Sequence, residues 1–325
     1  MPRLVRLAPL AALALLAGCR PDNTGPAWPD APIAGASDAF WKAWGDGNAE
    51  VATYAATVSR YDSLRDASVV LVTVTEPVDR TTWIKDDSAR GENRLDVVKL
   101  NHMETFQTGV YPYSVMTSVF MPVADFGADV GGRFAPAKIT LTAQEWCGHV
   151  WHGVWPGTGG FRASMRSYFA TEGETDRTVD APTGTLYEDA LLVQLRELDG
   201  PFAGGGDWSG SLVPALWEQR IAHRPLAPVA ATIARADTAI AGPDGDTLAA
   251  TRFRIAYTGP RGPFTRTVVV EKQGAHRVLG WTTSRGERVR LVRSLRMPYW
   301  RLNRPGDTPW RDSLGLAPLP AHPRP

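Results

Sequence analysis

A carboxylate, a thiol and two imidazoles fall in the stretch Glu145-Trp146-Cys147-Gly148-His149-Val150-Trp151-His152. Residues of these types can bind a soft divalent metal together. Alternatively, the thiol can serve as a nucleophile if a neighbouring base activates it. Upstream, Ile139, Leu141 and Ala143 alternate with Thr140, Thr142 and Gln144, which is the period of a strand. Beyond that point the large apolar positions, Trp146 and Val150, have the opposite parity. A slip of one residue predicts a bulge near 143–145. It would send Trp146 to the core face with Ile139 and Leu141, and gather Glu145, Cys147 and His149 on the other face. His152 joins them only if Gly153 breaks the strand. The spacing matches no established zinc motif, and a buried thiol among hydrogen-bonded neighbours is the structural alternative. No cofactor is expected beyond a divalent metal at this cluster.

A second group of polar residues sits in strongly patterned segments. Glu76, Lys99 and Asn101 lie in apolar strands, Arg60 precedes the first of these, and Tyr113 and Ser114 open another. Together they predict a polar pocket in a shared interior. Arg288, Arg290, Arg293 and Arg296 predict a basic edge strand that discourages edge pairing or meets anionic lipid. The chain contains no phosphate-binding loop, no G-x-S-x-G elbow, no H-E-x-x-H and no C-x-x-C pair.

The elements that must hold these residues read as β structure. With 31 Gly and 26 Pro, short alternating runs are separated by turn residues throughout, which favours strands over a helical bundle. Runs over 69–75, 94–106, 115–122, 137–155 and 161–169 form a first β portion, and runs between 229 and 296 form a second. The expected fold is mainly β, an antiparallel curved sheet or partly closed barrel with a few short helices. Ser37 predicts a capped helix carrying Phe40, Trp41 and Trp44. Thr185 and Glu188 make a capping box for a helix with Leu186, Leu191, Leu195 and Leu198 at helical spacing. The β-rich region runs over 37–306, with possible halves at 37–200 and 201–306, and 307–325 is expected to be a loose tail.

The amino terminus is read as a targeting segment. Arg3 and Arg6 precede an apolar run from Leu7 to Leu16, well short of the roughly 20 residues a spanning helix needs. The run ends in Leu16-Ala17-Gly18-Cys19, which resembles a bacterial lipobox. The resemblance implies a signal peptide over 1–18, lipidation of Cys19 and a tether over 19–36. More than one acyl chain makes such an anchor stable. Arg20 follows the cysteine where an aspartate would signal retention, so the outer membrane is favoured over the inner membrane of a bacterial envelope. Once Cys19 is lipidated, Cys147 has no partner in its own chain, so no internal disulfide is expected. A net charge of +1 argues against nucleic acid as a partner.

Four segments carry a wider resemblance: Phe40-Trp41-x-x-Trp44-x-x-Gly47, Tyr111-Pro112-Tyr113-Ser114-x-Met116-Thr117-Ser118, Gln144-Glu145-Trp146-Cys147-Gly148-His149 and Arg296-x-Pro298-Tyr299-Trp300-x-x-Asn303. They resemble a family of bacterial exported proteins and lipoproteins, some of whose members carry the label "septum formation inhibitor Maf". The Maf pyrophosphatases proper are cytoplasmic and begin with a Ser-rich, Arg-containing phosphate motif that this chain lacks, so no catalytic residue carries over. The expected function is a membrane-anchored, non-enzymatic envelope lipoprotein whose curved sheet holds a lipid-like ligand or an envelope protein. The alternatives are a thiol- or metal-dependent enzyme using Glu145, Cys147 and His149, and a purely structural envelope component.

Overall fold

The computed structural model describes residues 34–126 and 134–316; Cys19, the signal segment and most of the tether lie outside the described residues. In chain order the strands are β1 (Ala34–Gly35), β2 (Ala49–Arg60), β3 (Ser63–Asp79), β4 (Ile84–Lys85), β5 (Arg94–Gln107), β6 (Pro112–Pro122), β7 (Ala124–Asp125), β8 (Lys138–Glu145) and β9 (Gly148–Gly157). They continue as β10 (Gly160–Ser167), β11 (Glu174–Asp180), β12 (Leu186–Tyr187), β13 (Trp208–Val213), β14 (Val229–Ala241), β15 (Thr247–Gly259), β16 (Gly262–Glu271), β17 (Val278–Thr283) and β18 (Arg288–Met297). The helices are short: α1 (Asp38–Trp44), α2 (Leu191–Gln194), α3 (Leu216–Ala222) and α4 (Trp310–Ser313).

One large sheet runs in the order β11-β10-β9-β8-β6-β5-β3-β2-β18-β17-β16-β15-β14-β13-β12, with β4 added beside β3. All its ladders are antiparallel except β12 with β13. The two sequence portions therefore share one sheet, joined where β18 pairs with β2. β18 is thus a central strand and not the basic edge read from its arginines. Arg293 pairs with Asp244 at 2.9 Å, and Arg296 reaches Asp46 and stacks 4.6 Å from the Trp44 ring. The two edges, β11 and β12, do not pair with each other among the described residues. Yet the chain passes from Asp180 to Leu186 between them, a reach of at most about 20 Å. The ring of Phe161, near one edge, meets that of Tyr187, at the other, at 5.9 Å. The sheet is strongly curved and stops short of closing.

Strand alternation decides what the concave face carries. Even positions of β5 point inward (Val98, Leu100, Phe106), as do odd positions of β6 and β8 (Val115, Val119, Ile139, Leu141) and of β15 (Phe253, Ile255), and all join one continuous core. The segment between β12 and β13 packs into the concavity, with Ala190, Leu191 and Leu195 at or below 1% exposure, as does Leu216 at the start of α3. This plug replaces the long capped helix expected over 185–198. Thr185 gives its hydroxyl to the Pro182 carbonyl at 2.6 Å, and Glu188 turns inward to a buried ion pair, leaving only the four-residue α2. The expected helix at Ser37 forms: its hydroxyl accepts from the Phe40 amide at 3.2 Å, and Phe40 and Trp44 are buried.

The convex face is covered at two places. Trp83, Leu95, Val97, Ala124 and Phe126 form one small cluster, and Ala49, Val51, Val72, Val74, Met297 and Leu314 form another. Within the expected loose tail over 307–325, Leu314 and Leu316 pack on the sheet and the Leu314 carbonyl accepts from Thr53 Oγ1 at 2.5 Å, while 317–325 lie outside the described residues. At the foot of β17, Gly280 has φ +152° in a bulged register, and a Cβ there would lie 2.2 Å from the Val289 carbonyl. Only glycine lets β18 approach that closely.

Candidate functional site

The structure does not assemble the cluster expected around Cys147. β8 and β9 are joined by the two-residue turn Trp146-Cys147, with Glu145 opposite Gly148 and Ile139 opposite Val154 in unbroken register. The parity slip in the sequence is therefore a chain reversal and not a bulge. Across an antiparallel pair, Ile139, Leu141 and Ala143 share their face with Val154, His152 and Val150. Trp146 stands at the tip, 71% exposed, rather than in the core. Glu145 has inward parity and His149 outward parity, so they lie on opposite faces, and His152 is buried further down the inner face. Among the described residues, no three His, Cys, Asp or Glu side chains come together as a metal site.

Cys147 is exposed, and the Glu145 carboxylate raises its pKa by hydrogen bonding, the reverse of nucleophile activation. Folded protein treated with a maleimide is expected to label at Cys147 without denaturant, as located by peptide mapping. Glu145→Ala is expected to speed the reaction near neutral pH by freeing more thiolate. Labelling only after unfolding would contradict this placement.

The predicted polar pocket splits between the two faces of the sheet. Glu76, Lys99 and Asn101 lie on the convex side, where Lys99 Nζ donates to Glu76 Oε2 at 2.8 Å and Ser118 donates to Asn101 at 2.8 Å. Ser114 has the same outward parity, opposite Gln144. Arg60 and Tyr113 do meet, on the concave side. Arg60 Nη2 donates to the Tyr113 hydroxyl at 3.2 Å, and its guanidinium lies 4.0 Å from the Tyr61 ring and 6.0 Å from that of Trp217. These rings begin an aromatic rim at one end of the sheet. Tyr61, Tyr111, Trp146 and Tyr168 belong to successive turns there, with Tyr111 and Trp146 6.4 Å apart.

Below the rim a cleft opens between the sheet and α3. Its apolar walls are Val58, Val115, Trp217, Ile221, Phe264, Trp281 and Val289; its polar floor is His102, Glu104, Thr117, Asp189, Arg266 and Glu287. The enclosed part is small, about 50 Å³. α3 is held over it from both sides. Glu218 takes Arg261 Nε at 2.8 Å and Arg285 Nη2 at 2.7 Å, while Arg220 reaches Glu172 at 2.7 Å. The start of α3 is fixed from below: the Ala215 amide donates to Glu188 at 3.0 Å and the Leu216 amide to Asp189 at 2.9 Å.

Desolvation sets the charge state of the floor. It pushes the Glu104 carboxyl up to about 8, helped by the neighbouring Glu287, and the Asp189 carboxyl up to about 7. Glu287 moves in the same direction for the same reason. His102 falls to about 4, first from desolvation and then from Arg266. Arg266 remains charged because Glu188, 2.9 Å away, and the other acids outweigh its burial. The Tyr257 hydroxyl completes this pair, donating to Glu188 at 2.7 Å. His102 Nε2 and Arg266 Nε are buried without a hydrogen-bond partner. At neutral pH the floor thus presents a protonated carboxyl as donor and a neutral imidazole. It has the means to hydrogen-bond a polar group, but no nucleophile beside a base.

Neither His102 nor Glu104 belongs to the pocket expected from the sequence, although the signal is present. Leu100-x-His102-x-Glu104-x-Phe106 places an imidazole and a carboxyl on the same strand face as two core residues.

No protein-family model matches the chain, and no curated protein matches it. Among solved structures, a beta-barrel-like protein of a domain of unknown function, DUF1849, from Brucella abortus is similar. The two share 11% identity with a TM-score of 0.46, over 77% of this chain and 98% of that one.

Proposed function

We propose that this is a lipid-anchored envelope protein that holds the polar head group of an amphipathic molecule in the cleft under α3, without a catalytic step. The observation that carries the reading is the floor of the cleft, where His102 Nε2 and Arg266 Nε lack partners beside a Glu104 carboxyl that keeps its proton. Buried polar groups are normally satisfied, so orphaned ones facing a cleft favour a bound partner. A small head group suits the site if it carries both a cation, which would restore the charge that desolvation denies Glu104 and Asp189, and an acceptor for the Arg266 Nε–H. The enclosed volume takes only the few atoms at the tip of a small head group and not a whole lipid. The apolar remainder would run out along Trp217 and Tyr113, whose rings are 6.3 Å apart, towards the rim. The lipid anchor at Cys19 and an outer-membrane address rest on the lipobox and belong to the same proposal.

The test is to express the full chain in a bacterium that lipidates it, purify it in mild detergent and identify what organic solvent extracts. A stoichiometric amphiphile with a polar head, lost from His102→Phe, is the expected result. Absence of any such molecule, with no calorimetric binding of alkyl amines or zwitterionic amphiphiles, would sink the proposal.

A further inference from the structure

A second cavity lies at the open edge of the sheet, away from the cleft floor. It measures about 120 Å³ and sits between the inner face of β9, β10 and β11 and the end of α3. His152, Met165, Thr175 and Arg177 line it from the sheet, and Gln219 and Arg224 from the helix side. Two of these side chains are almost wholly buried yet unsatisfied. His152 and Gln219 are each 2% exposed, and neither His152 Nδ1 nor Gln219 Oε1 has a hydrogen-bond partner.

The charges around the cavity are unbalanced. The acid beside it, Glu172, is already committed to Arg220 Nη1 and His223 Nδ1, both at 2.7 Å. Arg177 makes one long hydrogen bond, 3.4 Å to the Leu226 carbonyl, and no carboxylate lies within ion-pair distance of it among the described residues. A half-buried guanidinium with most of its N–H groups unused, beside an imidazole nitrogen that can carry a proton, recognises an anion. Gln219 Oε1 can only accept, so the same ligand must also donate. A cavity near 150 Å³ holds a molecule of about six non-hydrogen atoms, which sets the scale here.

We infer that this edge cavity binds a small hydroxy- or amino-carboxylate, its carboxylate on Arg177 and His152 Nδ1–H, and its hydroxyl or ammonium donating to Gln219 Oε1. The site is independent of the cleft under α3 and requires nothing of the reading given for it.

The probes are lactate and alanine, with propionate as the analogue that keeps the carboxylate and lacks the donor. They are titrated into the purified full chain and followed by calorimetry and ligand-observed NMR. Wild type is expected to bind lactate or alanine with Kd on the order of 1 mM or tighter, and propionate more weakly. Arg177→Gln is expected to weaken all three by about tenfold or more, and Arg177→Lys to weaken them less, because it keeps charge but loses the fork. Gln219→Leu should weaken lactate and alanine while leaving propionate unchanged, a pattern that general damage to the fold would not produce. Glu104→Gln, in the other cleft, should change none of these. The inference fails if wild type binds none of the probes, if folded Arg177→Gln binds as wild type does, or if Gln219→Leu weakens propionate equally.

Discussion

Replacing Arg196 by methionine is expected to lower the unfolding free energy by about 3–5 kcal/mol, the usual cost of breaking a buried ion pair from one side. Arg196 lies on the plug and donates to both oxygens of Glu50, on β2, at 2.9 and 2.8 Å. Their side chains are 3% and 5% exposed. The guanidinium also donates to the Ala275 and His276 carbonyls at 2.8 and 2.9 Å, in the turn between β16 and β17, and lies 4.9 Å from the Trp44 ring. One side chain thus joins the plug, the centre of the sheet, the far hairpin and α1. Methionine matches the stem but strips the buried Glu50 carboxyl of both of its guanidinium hydrogen bonds. Removing both charges, in Arg196→Met/Glu50→Leu, takes away the uncompensated carboxylate. The double variant should recover most of the loss, because a buried pair contributes little over a well-packed apolar replacement. Urea titrations of the two singles and the double measure this directly. Equal destabilisation in Arg196→Met and the double variant would show that the carbonyl contacts matter, not the ion pair.

What the sequence discloses of this architecture follows from the range of the interactions involved. Strand type, alternation and the Ser37 cap are local and could be read. The parity slip at Trp146 was also real, but a bulge and a two-residue hairpin shift parity alike. Only the pairing of Ile139 with Val154 distinguishes them. Alternation also marks Glu76, Lys99 and Asn101 as polar residues in apolar strands, and the sequence reading places them in a shared interior. Which face of a sheet becomes concave is a global property, however, and they proved to be on the convex one. Glu188 and Arg266, and Glu50 and Arg196, have several whole strands between them in the chain, so nothing local announces either pair. Glu188 even satisfies a helix-capping pattern that the buried partner overrides. The polar residues that face the cleft follow from alternation only after the core face of β5 is known. His102 and Glu104 were therefore legible in type but not in position.

Substituting Glu104 by glutamine is expected to make the protein more stable at alkaline pH and to change it little under acid conditions. In the unfolded chain Glu104 ionises near 4.5 and Asp189 near 3.8, whereas in the folded protein they keep their protons to about 8 and about 7. Between those limits the folded state binds more protons than the unfolded one, so stability falls as pH rises. The buried histidines act in the opposite sense. His102 and His152 ordinarily titrate at 6.5 and are held at about 4 in the fold, so their contribution is lost as pH falls from 6.5 towards 4. Above pH 6.5 the two histidines no longer contribute a slope while Glu104 and Asp189 still do, and their contribution to stability should fall steadily up to pH 8. Glutamine cannot ionise and removes Glu104 from that trend. Because the cleft mouth admits some solvent, the gain at pH 8 is on the order of 1–2 kcal/mol and not the full value of the shift. Thermal unfolding of both proteins from pH 5 to 8 should show curves that meet at the acid end and diverge above neutrality. Parallel curves would mean that Glu104 is ionised in the folded protein throughout. The same protonation gives ligand binding a signature: a cationic head group that settles on Glu104 must expel its proton. Calorimetric heats near pH 7 should then differ between buffers of unequal ionisation enthalpy, and that difference should vanish in Glu104→Gln.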